Sequence, residues 1–85
     1  MDKGIKNLIY NAVSNGDYRY RTMKRDYREN LYDLFIEIEN SAYRIASYNT
    51  KNKRLIIPFP DLFIPSREIL AGFVEIVESE LREQL

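Results

Sequence analysis

The sequence predicts an α+β fold: an N-terminal helix, a small antiparallel β-meander of three to four strands, and a C-terminal helix. Three observations lead there. The two ends carry apolar residues at helical spacing, Ile5, Leu8, Ile9, Ala12 and Val13 at one end and Leu70, Phe73, Val74, Val77 and Leu81 at the other. The middle alternates in stretches, as in Tyr18-Arg19-Tyr20-Arg21 and Phe35-Ile36-Glu37-Ile38-Glu39, which is the period of a strand. The breaks between those stretches are rich in asparagine, which tolerates left-handed backbone and bonds its own chain.

The first helix begins at Asp2, a plausible N-cap, and turns Lys3, Lys6, Asn7, Asn11 and Ser14 to solvent. Asn15-Gly16 stops it, because glycine supplies the left-handed conformation a helix end favours. Residues 17 to 57 contain no glycine and no proline, so one long central helix competes there; Leu31, Leu34, Phe35, Ile38, Ala42 and Ile45 also fit helical spacing. The abundance of tyrosine and isoleucine favours strands, at about 18–24, 32–39, 42–48 and 53–58. Asn40-Ser41 and Asn49-Thr50-Lys51-Asn52 read as the turns, and Pro58 closes the last strand. Both helices are expected on one face of the sheet. The alternative is an all-α three-helix domain. Pro65-Ser66 opens the last helix with Ser66 as cap, Glu68 in the first turn and Glu78 paired with Arg82 four residues on. Gly72 interrupts that helix at a cost of roughly 1 kcal/mol relative to alanine, and a close backbone contact is the expected reason.

Composition narrows the function. The 85 residues make one small domain of modest stability, for which dimerisation is a natural supplement. Eleven aromatic residues, seven Tyr and four Phe, are too many for a disordered chain. The absence of cysteine and histidine removes disulfides, thiolate nucleophiles, imidazole bases and Cys/His zinc sites together. No apolar run is long enough to span a membrane, and no hydrophobic stretch follows Met1-Asp2-Lys3-Gly4. A complete small reading frame in the cytoplasm, without a membrane partner, is the expectation.

The charge is zero in total and divided in space. Residues 18–28 carry Arg19, Arg21, Lys24, Arg25 and Arg28 against Asp26, while residues 75–85 carry Glu75, Glu78, Glu80 and Glu83 against Arg82. Separated poles allow one face to meet a polyanion and another a basic partner. Lys51, Lys53 and Arg54 add a second basic cluster, and Tyr27 or Tyr48 is placed to stack on a base. A pI near 6.3 is far from the usual footprint of a DNA binder. The stretch from Leu55 to Pro65 is apolar and proline-punctuated, which is unusual for a loop. It either packs on the core or offers Phe59, Leu62 and Phe63 as anchors. Asp33, Glu37 and Glu39 fall on one face of a strand, an arrangement that suits Mg²⁺. Neither the lysine nor the second acidic strand of a metal nuclease accompanies them, so they read as a solvated face. No glycine-rich phosphate loop is present and no serine has a base beside it.

Size, element order and charge style resemble those of small phage-encoded inhibitors of bacterial defence, some anti-CRISPR proteins among them. No motif carries the resemblance, so no residue role transfers. The resemblance and the composition together imply a non-enzymatic protein from a phage or mobile element, without cofactor or metal, that binds and modulates or inhibits a host protein. Glu75, Glu78, Glu80 and Glu83 would meet a basic surface, with Phe59 and Phe63 as apolar contacts. The second expectation is a small nucleic-acid-binding regulator using Arg19, Arg21, Lys24, Arg25, Arg28, Lys51, Lys53 and Arg54. It requires those cations to share a face. Homodimerisation through an edge strand or the apolar loop is compatible with either.

Overall fold

The computed structural model describes residues 3–26 and 30–84. Helix α1 spans Lys3–Asn15, strands β1 to β4 span Arg19–Asp26, Leu31–Ile38, Ser41–Asn49 and Arg54–Ile56, and helix α2 spans Arg67–Glu83. The strands form one antiparallel meander in the order β1-β2-β3-β4. The α+β expectation holds, and the three-helix alternative does not. The reason lies in β2: a helix would scatter Tyr32, Leu34, Ile36 and Ile38 around its circumference, whereas a strand puts all four on one face. All four are buried there.

Both helices lie on that face. Ile9 and Ala12 of α1 and Phe73 and Val77 of α2 join the β2 residues, Ile45, Ala46, Tyr48 and Phe63 in a single core. Tyr48 and Phe73 meet edge to face at 6.5 Å, as do Tyr10 and Phe63 at 5.3 Å. Helix ends follow local chemistry. At the end of α1 the Gly16 amide bonds Val13 O and the Asp17 amide bonds Ala12 O, a Schellman motif made possible by Gly16 at φ 75. At the start of α2 Ser66 Oγ accepts from the Ile69 amide, and Glu68 sits in the first turn, as expected. The proposed Asp2 cap lies outside the described residues.

The hairpin turns differ from expectation by a residue. Ile38 pairs with Ser41, so Glu39 and Asn40 make the β2–β3 connection, with Glu39 at φ 56. Glu39 therefore leaves the strand and does not stand in a row with Asp33 and Glu37. The β3–β4 turn does use its asparagines. Asn49 Oδ1 accepts from the amides of Lys51 and Asn52, and Asn52 Oδ1 accepts from the amide of Arg54. Strand β4 is shorter than predicted, because Pro58 cannot extend a ladder.

Two bulges shape the sheet. In β1 the register shifts between Lys24 and Asp26, leaving Arg25 as the extra residue. In β3 the register shifts opposite Leu34 and Phe35, leaving Ile45 extra. The second bulge puts Ile45 and Ala46 consecutively into the core and returns Ser47 to the opposite face, across from Asp33. The apolar stretch after β4 packs only in part. Phe63 and Pro65 are buried, whereas Ile56, Phe59 and Ile64 are exposed.

Candidate interaction surface

The helices leave the other face of the sheet uncovered, and the register fixes what stands on it. Cross-strand rows read Arg19–Glu37–Ala42, then Arg21–Phe35–Arg44, then Met23–Asp33–Ser47–Ile56, then Asp26–Leu31–Asn49–Arg54. Arg25 joins through its bulge. Its Nε donates to Asp33 Oδ2 at 2.9 Å and its Nη2 to Asp33 Oδ1 at 2.6 Å, a two-pronged contact of the kind that orients guanidinium and carboxylate together. Ser47 Oγ donates to Asp33 Oδ1 at 2.7 Å and accepts from Arg25 Nη2 at 3.1 Å. Asp33 is 4% exposed, so its charge depends on these partners. Burial pushes its carboxyl up, but the bonds from Arg25 and Ser47 and the charges of Arg25 and Arg44 outweigh that and hold it below its ordinary value.

Glu37 stands between Arg19 and Arg21, at 3.7 and 3.6 Å. Both arginines are largely exposed, so these pairs contribute little to stability and leave the cations accessible. Arg44 lies with its Cζ 5.7 Å from the centre of the Phe59 ring. Five arginines (19, 21, 25, 44 and 54) outnumber Asp33, Glu37 and, by register, Asp26, so this face is net positive. Met23 and Ile56 are exposed among them, and Phe35 is half-buried.

The basic residues predicted from sequence separate here. Arg19, Arg21, Arg25 and Arg54 share the open face. Lys24 stands on the helix side, its Nζ 5.7 Å over the Tyr32 ring. Lys53 turns to Glu78 on α2 at 3.2 Å, and Lys51 sits at the tip of the β3–β4 turn. Arg28 and Tyr27 lie outside the described residues. Tyr48, the other stacking candidate, is buried in the core. Sequence reasoning missed Arg44, since the bulge at Ile45 hides the alternation that would have placed it beside Phe35.

The acidic helix end does not form one face either. At 3.6 residues per turn Glu75, Glu78, Glu80 and Glu83 spread over roughly 200° of the α2 circumference. Glu78 accepts from Tyr48 Oη at 2.7 Å and from Lys53 Nζ at 3.2 Å, which lowers its pKa, the Tyr48 bond contributing first. The same bond, then burial, pushes the Tyr48 hydroxyl up to about 12. Arg82 Nη2 donates to Glu75 Oε1 and Ser79 Oγ and acts on its expected partner Glu78 through charge alone. Of the two phenylalanines, Phe63 is 5% exposed and belongs to the core, while Phe59 is 44% exposed. Phe63 is therefore no surface anchor: its ring is held against Tyr10.

A second feature adjoins the open face. Between β1 and α2 runs a mainly apolar cleft of about 390 Å³, bounded by Tyr20, Thr22 and Leu34 on one side and Ile69, Gly72 and Ile76 on the other, with Glu68 also on its α2 wall. The expected close contact at Gly72 is absent: a Cβ built there meets nothing within 4 Å. The missing side chain opens the cleft instead. Burial, and then the neighbouring Tyr18, push the Tyr20 hydroxyl up to about 12.

Among the described residues no group of three or more acidic side chains is arranged to hold a metal ion. No helix among them is long and apolar enough to cross a membrane. Comparison with protein-family models, curated proteins and solved structures returns no match to this chain.

Proposed function

We propose that this protein is a non-catalytic interaction module that binds an acidic surface of a partner protein through the open face of its sheet. The observation that carries the reading is the composition of that face. Arginines, a methionine and an aromatic ring are enriched in protein interfaces, and here they stand together on an uncovered sheet. The interleaved Asp33 and Glu37 favour a protein over a nucleic acid, because a phosphate backbone crossing the arginines would also cross these carboxylates. Of the stacking candidates, Tyr48 is buried in the core and is not offered by this face. In keeping with the resemblance to phage-encoded inhibitors, the partner is a host protein, and occupying its acidic surface is the mode of modulation. The acidic end of α2 is a secondary contact at most, since its glutamates point in different directions.

The test is a titration with poly-glutamate, single-stranded DNA and duplex DNA at low and moderate salt. Binding of poly-glutamate that is lost in Arg19→Glu/Arg21→Glu supports the reading. Tighter binding of either DNA, falling steeply with salt, replaces it with the nucleic-acid reading. No binding to any of the three overturns the charged sheet face as a contact surface.

A further inference from the structure

Strand β1 is the long edge of the sheet: eight residues, Arg19 to Asp26, with β2 as its one strand neighbour among the described residues. The opposite edge, β4, has three residues and is followed closely by Pro58. The outer edge of a strand of this length is a template for another strand. On β1 the two faces offer different chemistry at alternate positions. Arg19 and Arg21 point to the open face, while Tyr20 and Thr22 point to the cleft against α2.

We infer that β1 accepts an extended segment of the partner as a fifth strand, and that the segment alternates acidic and apolar residues. This deepens, and rests on, the proposal of an acidic protein partner. A strand added about 4.8 Å from β1 continues the pleat. Its side chains on the open face then lie beside Arg19 and Arg21, where carboxylates are favoured. Its alternate side chains lie over the cleft, whose apolar walls and missing Gly72 side chain take a branched aliphatic group. Ile76, exposed at 55%, is covered by that group. Main-chain pairing supplies affinity and the two side-chain rows supply selectivity, the usual division of labour in strand addition. A second copy of this chain is a poor occupant. Antiparallel pairing of β1 with itself sets arginine beside arginine on the open face, and like charges across a ladder repel.

The experiment uses the full chain and a labelled peptide of about ten residues alternating Glu and Val, with a Lys/Val peptide as control. Binding is followed by fluorescence anisotropy, and amide hydrogen exchange is read residue by residue. The expected result is binding of the Glu/Val peptide alone, with slower exchange along β1. Arg19→Glu/Arg21→Glu should reverse the preference between the peptides. Gly72→Leu fills the cleft while keeping a good helix former, and should weaken binding by about tenfold or more. If the peptide binds but β1 exchange is unchanged and Gly72→Leu binds as tightly, strand addition is overturned while the sheet-face reading stands. Binding of poly-glutamate without the alternating peptide has the same meaning. If neither binds, both proposals fall. A peptide-free dimer in light scattering with protected β1 amides overturns the inference in favour of a second copy.

Discussion

Gly72 and Gly16 offer a paired test of how backbone conformation and space decide the effect of one methyl group. Gly72 lies inside α2 and a Cβ there meets nothing within 4 Å. Alanine then adds no clash and removes the conformational freedom that glycine gives the unfolded chain. The gain in a helix interior is about 1 kcal/mol. For a domain of this size that raises Tm by roughly 4–8 °C. Gly16 is equally uncrowded, since a Cβ there also meets nothing within 4 Å, but its φ is 75. Alanine must adopt the left-handed conformation there, at a cost of about 1–2 kcal/mol. The same substitution in the same empty space therefore moves stability in opposite directions. Urea unfolding followed by far-UV circular dichroism measures both, with the midpoint shifting and the slope unchanged. A Gly72→Ala protein no more stable than the parent would refute the argument, because it would mean that α2 is not a continuous, unobstructed helix at that position.

Three further outcomes follow from the same geometry. Glu39→Gly should stabilise by about 1 kcal/mol by relieving a left-handed backbone at φ 56, measured by the same unfolding assay; a loss would mean that the glutamate side chain matters more than its backbone. Asp33→Ala should cost about 2–3 kcal/mol, since it leaves Arg25 and Ser47 without their shared acceptor, and Asp33→Asn should recover only part of that. The pH dependence has two limbs. Asp33 holds its folded pKa below its ordinary 3.8, so its contribution is present above that value and is lost as pH falls through the folded pKa. Tyr20 and Tyr48 bind their protons more tightly folded than unfolded, so their contribution is present below about pH 10 and is lost as pH rises toward about 12. Tyr48→Phe should flatten the alkaline limb, and an unchanged limb in that variant would exclude the Tyr48–Glu78 bond as its source.

The fold was legible because its signals are local. The helix stripes, the Gly16 stop, the Ser66 cap and the asparagines of the β3–β4 turn each act within a few residues of their own position. The alternation of Tyr18 to Arg21 likewise assigns the faces of β1 correctly. The surface was less legible because it depends on register. Arg44 meets Phe35 only through the bulge at Ile45, and Arg25 reaches Asp33 only through the bulge in β1. Phe59 and Phe63 are indistinguishable in a proline-rich stretch, yet the amides of Leu62 and Phe63 both bond to Phe59 O, a tight turn that sends one ring out and the other against Tyr10. The acidic run of α2 looked like a patch because four glutamates are close in sequence, but their spacing turns them around the helix.

The arginines of β1 bear on two problems that a small sheet must solve at once. A long exposed edge invites pairing with any other strand, including its own copy, and proteins guard such edges with charge. Arg19 and Arg21 provide that guard, since each copy presents the same cations to the other. A charge that repels copies of the chain attracts a strand of opposite sign, so under the proposed strand addition the guard would also select the partner. Asp33 and Glu37 set how strong this selection is. By holding Arg25 through two bonds and standing between Arg19 and Arg21, they lower the positive charge of the face without abolishing it. Replacing Glu37 with Gln should therefore raise affinity for acidic peptides and also raise binding to DNA. A face evolved for phosphates would gain from that change, whereas one that must distinguish an acidic protein from nucleic acid loses its discrimination. The ratio of the two affinities in Glu37→Gln, compared with the parent, measures which problem the carboxylate solves: a ratio shifted toward DNA is expected, and an unshifted one would remove Glu37 from the argument for a protein partner.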